Sequence, residues 1–551
     1  MTEQLHGGFA ITRALKAFGV EHIFTLTGGH IFPILDAGHQ DGFRMIDTRH
    51  EASAAFAAEG WARLTRTLGV CAVTAGPGVT NALSPLAQAS ANSAPMLVLA
   101  GRAPSYRWGA GSLQEIDHVP FVAPLAPART VTAPEDISAA VVDAAGAALT
   151  APRGPRFLDF PLDVLFSTTA VEAPEVDLWV EGFSAPMRWN ESSEAWEVDD
   201  GEASGIVEVA RLLAAAERPV MVAGSNVWLD RAEGPLRALA ERAQVPVFMN
   251  GQGRGCLPAD HPLAFSRARS KALREADLVI VAGTPLDFRL GFGDFPGAVV
   301  HIDAGPLATH VELAAGLRMP TDAAFSSIEQ AYEGSPRTQA WLEALRAEEH
   351  SRAEAVQAEL TSAARPIHPL RVYGELVPLL ERDAIVIGDG GDFVSFAGRE
   401  VPSYEGGCWL DPGPFGCLGC GPGYALAARI AHPDRQVVIL YGDGAFGFSG
   451  MELETFVRLG LPVVAVIGNN GIWALEKHPM RMIYGYDVAA ELRPGVRYDL
   501  VMRDLGGDGE LVEDPDDLGP ALKRAFDSGV PYVVNVLTDP EVAYPRSSNL
   551  A

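Results

Sequence analysis

The sequence predicts an α/β protein built from three parallel-sheet domains. Three observations carry that expectation. The chain has 551 residues, more than one hydrophobic core supports, and about three domains is the natural division. Short β-branched runs alternate with Ala-rich stretches of helical length, the pattern of parallel strands covered by helices. That alternation breaks twice, at an acidic stretch without periodicity and at a charged helical stretch.

The first domain, residues 1–168, has strand candidates at Ile23–Leu26, Gly69–Thr74, Met96–Ala100 and Arg156–Asp159. Residues 169–202 are acidic, hold Pro and several Trp without a repeat, and read as a surface linker. The second domain, 203–340, has candidates at Pro219–Ala223, Val245–Met249, Leu278–Ala282 and Val299–Ile302. A linker helix covers 341–366 and ends at Pro366. The third domain, 367–540, has candidates at Ala384–Ile387, Gln436–Leu440, Val463–Ile467 and Tyr532–Val536, and 541–551 form a C-terminal segment.

A net charge of −28 disfavours nucleic acid and anionic membrane surfaces as partners. No signal pattern opens the chain, and no apolar run is long enough to span a bilayer. Five cysteines make no disulfide framework, so a reducing cytoplasm is the expected compartment. Cys417 and Cys420 form a CxxC with no second pair nearby, and their Gly-rich neighbours suggest packed backbone.

The informative motifs fall at strand ends of the third domain, where parallel sheets place ligands. Gln436–Leu440 runs into Gly442-Asp443-Gly444-Ala445-Phe446-Gly447. Alone this matches the dinucleotide fingerprint, which needs an acidic residue at the end of the next strand. Here the next strand ends in Gly468-Asn469-Asn470-Gly471 instead. Asp443 and Asn470, 27 positions apart (470 − 443), offer one charged and one neutral oxygen, a pattern that suits Mg²⁺. The backbone carbonyl of Ile472 is a third candidate ligand. The N–H groups around Gly442, Gly444 and Ala445 can approach a diphosphate at a helix N-terminus. A tight strand–helix turn followed by a coincidental Asn-Gly turn is the bland alternative.

GDG followed by NN at this spacing resembles the thiamine-diphosphate signature of the acetolactate synthase and oxalyl-CoA decarboxylase superfamily, and the similarity spans nearly the whole chain. The resemblance implies a first domain that binds the pyrimidine ring, a middle domain that binds ADP or FAD (ADP being the expectation), and a third domain that binds the diphosphate. It further implies a homodimer or homotetramer with active sites between subunits.

Thiamine chemistry calls for a carboxyl group against the aminopyrimidine ring. Glu51 matches the family's glutamate: it follows the strand-like Phe43–Thr48 and opens an Ala-rich stretch, where a carboxylate is poorly solvated. A glutamate placed only to favour the helix dipole is the alternative. By the same resemblance, Leu418 supports the bent cofactor and the Gly416 carbonyl accepts from its amino group. Asp392 and Phe393 lie near the diphosphate, Asn81 belongs to a pyrimidine-side loop, and Gln114 sits over the thiazolium. In the middle domain Gly224, Ser225, Arg267, Arg269, Asp303 and Asp322 occupy the nucleotide-binding positions; ordinary surface loops are the alternative.

The segments Ala445–Thr455 and Arg497–Gly507 and the ending Ser548–Leu550 resemble oxalyl-CoA decarboxylase and 2-hydroxyacyl-CoA lyase. In that branch the C-terminal segment closes over the thioester. The resemblance therefore favours a lyase that splits the C1–C2 bond of a 2-hydroxyacyl-CoA, with 2-hydroxyisobutyryl-CoA the candidate substrate and formyl-CoA a product. Glu491 is then the expected base for the substrate hydroxyl, with Leu125, His478 and Ile472 as pocket wall. One departure points elsewhere: Leu113-Gln114 replaces the Tyr-Glu pair of that branch and is synthase-like. An acetolactate-synthase-like carboligase acting on pyruvate, and oxalyl-CoA decarboxylase, stay open.

Overall fold

Three six-stranded parallel sheets organise the chain in a computed structural model that describes residues 3–174, 187–190, 195–198 and 200–545. The first sheet runs, edge to edge, Arg44–Asp47, His22–Thr25, Gly69–Val73, Met96–Arg102, Arg156–Pro161, Ala128–Thr130. Numbered in chain order within the domain, that is 2-1-3-4-6-5. The third sheet has the same order: Trp409–Leu410, Ile385–Asp389, Val437–Gly442, Val464–Asn469, Tyr532–Leu537, Asp508–Val512. The middle sheet differs, with order 3-2-1-4-5-6: Ala264–Phe265, Val247–Met249, Pro219–Ala223, Leu278–Ala282, Ala298–Ile302, Ala315–Leu317. This is the order of dinucleotide-binding folds.

Central strands such as Pro219–Ala223 and Leu278–Ala282 are buried at every position, as continuous apolar runs must be when helices cover both faces. Five strands without a sequence signal, Ala128–Thr130, Ala264–Phe265, Ala315–Leu317, Trp409–Leu410 and Asp508–Val512, are all edge strands. They are short, or polar on their open side, and so carry no such run.

Thr168–Val171, which runs into the stretch read as a linker, pairs antiparallel with Glu3–His6, and within that stretch Met187–Asn190 pairs with Ala195–Val198. The charged stretch read as a linker helix begins within the helix Gln339–Ala355. That helix buries Trp341, Leu342 and Leu345 in the middle-domain core.

The first and third domains share one core. The helix Glu51–Thr65 crosses the helix Gly421–Ala431. A Cβ on Gly60 would stand 2.9 Å from the Tyr424 ring, and one on Gly423 would stand 2.6 Å from Phe56 Cβ. Only glycine allows this approach. All five cysteines are free thiols, and burial pushes that of Cys417 up to about 12. Among the described residues, no helix is long and apolar enough to cross a membrane.

Candidate active site

Strand Val437–Gly442 delivers Asp443 to the C-terminal edge of the third sheet, and its neighbour Val464–Asn469 delivers Asn470. Parallel pairing sets Gly442 opposite Gly468, so motifs remote in sequence lie side by side. Asp443 is 3% exposed; it accepts from the Gly444 N–H at 3.0 Å and the Gly471 N–H at 2.7 Å. Burial pushes its pKa up to about 6, against the pull of those donors. Asn470 Oδ1 accepts from the Ile472 N–H at 3.2 Å. A buried carboxylate beside an amide oxygen is a donor set that a hard divalent cation fits.

Both residues line a cavity of about 540 Å³ at the point where the strand order reverses. Gly442, Gly444, Ala445, Asp392, Phe393, Gly416, Leu418 and Ile472 line it too. Its glycines are cut to fit aromatic neighbours: a Cβ on Gly444 would stand 2.4 Å from the Trp473 ring, and one on Gly468 2.4 Å from the Phe393 ring. Asp392 opens the helix Asp392–Glu400 and accepts from the Tyr544 N–H at 2.9 Å. Tyr544 also packs on Phe396, ring centroids 5.1 Å apart. The chain's last described residues thus rest on the helix at the cavity edge. Ser548–Leu550 lie outside the described residues.

The first-domain candidates gather elsewhere. Glu51 is the first residue of its helix, buried at 8% exposure, and accepts from Asn81 Nδ2 at 2.9 Å. Asn81 therefore touches the glutamate itself. The third-domain residue Glu452 accepts from the Arg49 N–H at 3.0 Å, fixing the approach to Glu51. Gln114 has φ +59°, and its Oε1 accepts from the Thr74 hydroxyl at 3.2 Å. In one chain Glu51, Asn81 and Gln114 do not line the cavity that holds Asp443.

In the middle domain Gly224 caps the helix Ser225–Leu229, and Ser225 Oγ accepts from the Gln252 N–H at 3.2 Å. Asp303 follows strand Ala298–Ile302; burial raises its pKa while the Gly305 N–H (2.7 Å) and Asn226 Nδ2 (3.1 Å) lower it. Burial also raises Asp322 in the first turn of Thr321–Ala331. Arg267 grips Glu400 of the third domain through two nitrogens, at 3.0 and 2.6 Å. Its guanidinium thus ties the middle domain to the third domain. Arg269 donates to the Arg289 carbonyl at 3.0 Å.

Of the substrate-side candidates, Ile472 lines the cavity, whereas Glu491, Leu125 and His478 of the same chain do not. Glu491 pairs its carboxylate with Lys477, leaving its side chain 58% exposed, while its backbone bridges to Ile472. With the Leu492 N–H on the Gly471 carbonyl (2.8 Å) and the Trp473 N–H on the Ala490 carbonyl (2.9 Å), this segment straps the Asn470 loop from outside. Leu125 packs on the core shared by the first and third domains, and His478 lies on the helix Ala474–Tyr484. Beside Ile472, the wall is supplied by Trp473, Leu475 and Glu476, and by Asn250, Phe288 and Arg289 of the middle domain.

Asp389 is a buried residue that the motif reading missed. It accepts from the N–H groups of Gly419 (2.9 Å) and Gly421 (2.7 Å), and burial pushes it up to about 7. Its signal was available, since Gly388-Asp389-Gly390 is a second GDG at a strand end.

Family models of thiamine pyrophosphate enzymes match all three domains. The N-terminal TPP binding domain matches residues 5–121, the central domain 206–326 and the C-terminal TPP binding domain 389–536. A probable acetolactate synthase of Mycobacterium bovis is 54% identical over 100% of this chain and 98% of that protein. An acetolactate synthase large subunit of Mycobacterium tuberculosis shows the same identity and coverage. A 2-hydroxyacyl-CoA lyase 2 of Caenorhabditis elegans is 36% identical over 92% of this chain and 85% of its own. Three matched domains in this order, together with relatives aligned over nearly their whole length, establish that the chain belongs to the thiamine pyrophosphate enzymes.

Proposed function

We propose that this thiamine-diphosphate-dependent enzyme is a carboligase of the acetolactate synthase type, acting on pyruvate. The observation that carries the reading is the 54% identity to acetolactate synthases along the entire chain, against 32–36% for 2-hydroxyacyl-CoA lyases. Two features of the chain agree with it. Gln114 is synthase-like, and Glu491, the base that the lyase reading needs, is paired with Lys477 outside the cavity. This reverses the preference drawn from the motifs of the third domain.

Bound thiamine diphosphate supplies a nucleophilic carbon and an electron sink beside the substrate carbonyl. Asp443, Asn470 and the Ile472 carbonyl would hold Mg²⁺, which would supply positive charge for the diphosphate. The amides around Gly442, Gly444 and Ala445 complete that cradle, with Asp392 and Phe393 beside it. Leu418 supports the coenzyme from below, and the Gly416 carbonyl accepts from its amino group. Glu51, held by Asn81, exchanges a proton with the pyrimidine ring, and Gln114 orients the substrate.

Because Glu51 and Asp443 do not share a cavity within one chain, the active unit is a homodimer or a dimer of dimers. Each Glu51 then serves a partner's cavity. Exposed Phe32, Leu113, Phe121, Phe415, Phe448 and Met451 are the apolar surface such a partner covers. The middle domain binds ADP or FAD, a reading supported by its strand order and by Asp303 at a strand end.

The lyase remains a second reading because its relatives align over most of the chain. Product analysis decides between them. Acetolactate from pyruvate, with 2-hydroxyisobutyryl-CoA and oxalyl-CoA left intact, supports the carboligase; formyl-CoA with acetone from the first ester would sink it.

A further inference from the structure

A cluster of charged and polar side chains lies behind the cavity, between the first and third domains. Glu59 is fully buried and Arg63, one turn further along the same helix, is 1% exposed; the two stand 3.4 Å apart. Gln88 and Asn92, at the end of the helix Leu83–Ala91, complete the group. Gln88 Nε2 donates to Glu59 at 3.2 Å and to the Tyr424 hydroxyl at 2.7 Å, and Asn92 Nδ2 donates to Glu59 at 2.8 Å. Burial raises the Glu59 pKa against the pull of Arg63 and Asn92. Well-packed apolar residues commonly serve stability as well as a buried ion pair does, so stability alone is a weak reason for such a cluster.

What the cluster grips is one short stretch of backbone. Arg63 Nη1 donates to the Asp411 carbonyl at 2.8 Å, and Asn92 Nδ2 to the Pro412 carbonyl at 3.3 Å. Gln88 Oε1 accepts from the Cys417 N–H at 3.0 Å. Between these points Gly413 has φ +67°, and a Cβ there would stand 2.0 Å from Asn92 Oδ1. The opposite side of the same stretch, Asp411, Pro412, Gly413, Gly416 and Leu418, lines the cavity. Its own secondary structure is a single three-residue turn, Gly413–Phe415, too short to hold its height unaided.

We propose that Glu59, Arg63, Gln88 and Asn92 are positioning residues. They form a buried polar clamp on the first domain that sets where Gly416 and Leu418 of the same chain meet the coenzyme. The inference rests on the assignment of those two residues to the coenzyme.

Gln88→Met and Asn92→Leu keep side-chain size and remove the grip. Coenzyme affinity is read from quenching of Trp409 and Trp473 fluorescence, both residues lining the cavity. Activation is read from hydrogen–deuterium exchange at the thiazolium carbon at saturating coenzyme, with no substrate present. Misplacement of the turn by about an ångström is expected to slow exchange roughly 100-fold and to weaken binding, with native circular dichroism retained. Wild-type exchange and affinity in the folded variants overturn the clamp. If both fail to fold, Glu59→Gln, which keeps shape and loses charge, decides by the same two readouts. If the wild-type chain itself shows neither quenching nor exchange, the coenzyme assignment falls, and the clamp with it.

Discussion

Asp443 Oδ2 accepts the Gly471 N–H at 2.7 Å, joining the two halves of the diphosphate motif across adjacent strands. The carboxylate thus shapes the Asn470 loop, and under the proposed function it would also provide the only formal charge of the Mg²⁺ donor set. Asp443→Ala should weaken Mg²⁺-dependent coenzyme binding by more than the roughly 10–100-fold that loss of an outer partner costs. Isothermal titration with and without Mg²⁺ checks this, and unchanged affinity would remove Asp443 from the site.

Gly444 and Trp473 are fitted to each other, with 2.4 Å between a notional Cβ and the indole ring. Gly444→Ala should cost about 1–3 kcal/mol by overpacking and push Trp473 into the cavity. Denaturant unfolding gives the first quantity and coenzyme affinity the second. A variant as stable and as tight as wild type would show that the ring moves freely.

Glu51→Gln keeps the shape of the side chain and its contact with Asn81 while removing the proton that the proposed function assigns to it. Turnover should fall by about 10²–10⁴-fold, the usual worth of a positioned acid–base group. Thermal stability and coenzyme binding should hold. Retained turnover would leave Glu51 as no more than a buried helix N-terminus.

Glu491 separates the two substrate readings. Under the carboligase reading, Glu491→Ala leaves acetolactate formation within an order of magnitude of wild type, since the carboxylate pairs with Lys477 and Arg481 and does not line the cavity. A lyase that used it as base would lose about 100-fold or more of its formyl-CoA production. Coupled product assays on the one variant distinguish the outcomes.

Asp389 gives a pH signature. Burial lifts its pKa from an ordinary 3.8 to about 7, so the folded chain keeps a proton that the unfolded chain has lost. Its contribution to stability is complete below the unfolded value and disappears as pH rises through the folded one. Unfolding free energy of the coenzyme-free protein should therefore fall across this window more steeply in wild type than in Asp389→Asn. Parallel slopes would mean that the titration belongs to other groups.

Local sequence was enough for whatever depends on neighbours along the chain. Buried central strands such as Leu278–Ala282 announce themselves because both faces are covered, whereas edge strands such as Ala128–Thr130 and Ala315–Leu317 lack an apolar run and stayed silent. Asp443 and Asn470 were legible because strand ends of one parallel sheet bring fixed spacings together. Glu491 and Arg267 were placed by position in the chain, which says nothing of partners: Lys477 takes the Glu491 carboxylate and Glu400 takes Arg267. The sequence by itself determined the sheet class and the coenzyme family, and it singled out Asp443 and Asn470, whose strands the fold sets side by side. Only tertiary structure decided which buried side chains back the 411–418 turn and which walls close the cavity, because those contacts join residues hundreds of positions apart whose spacing follows no period.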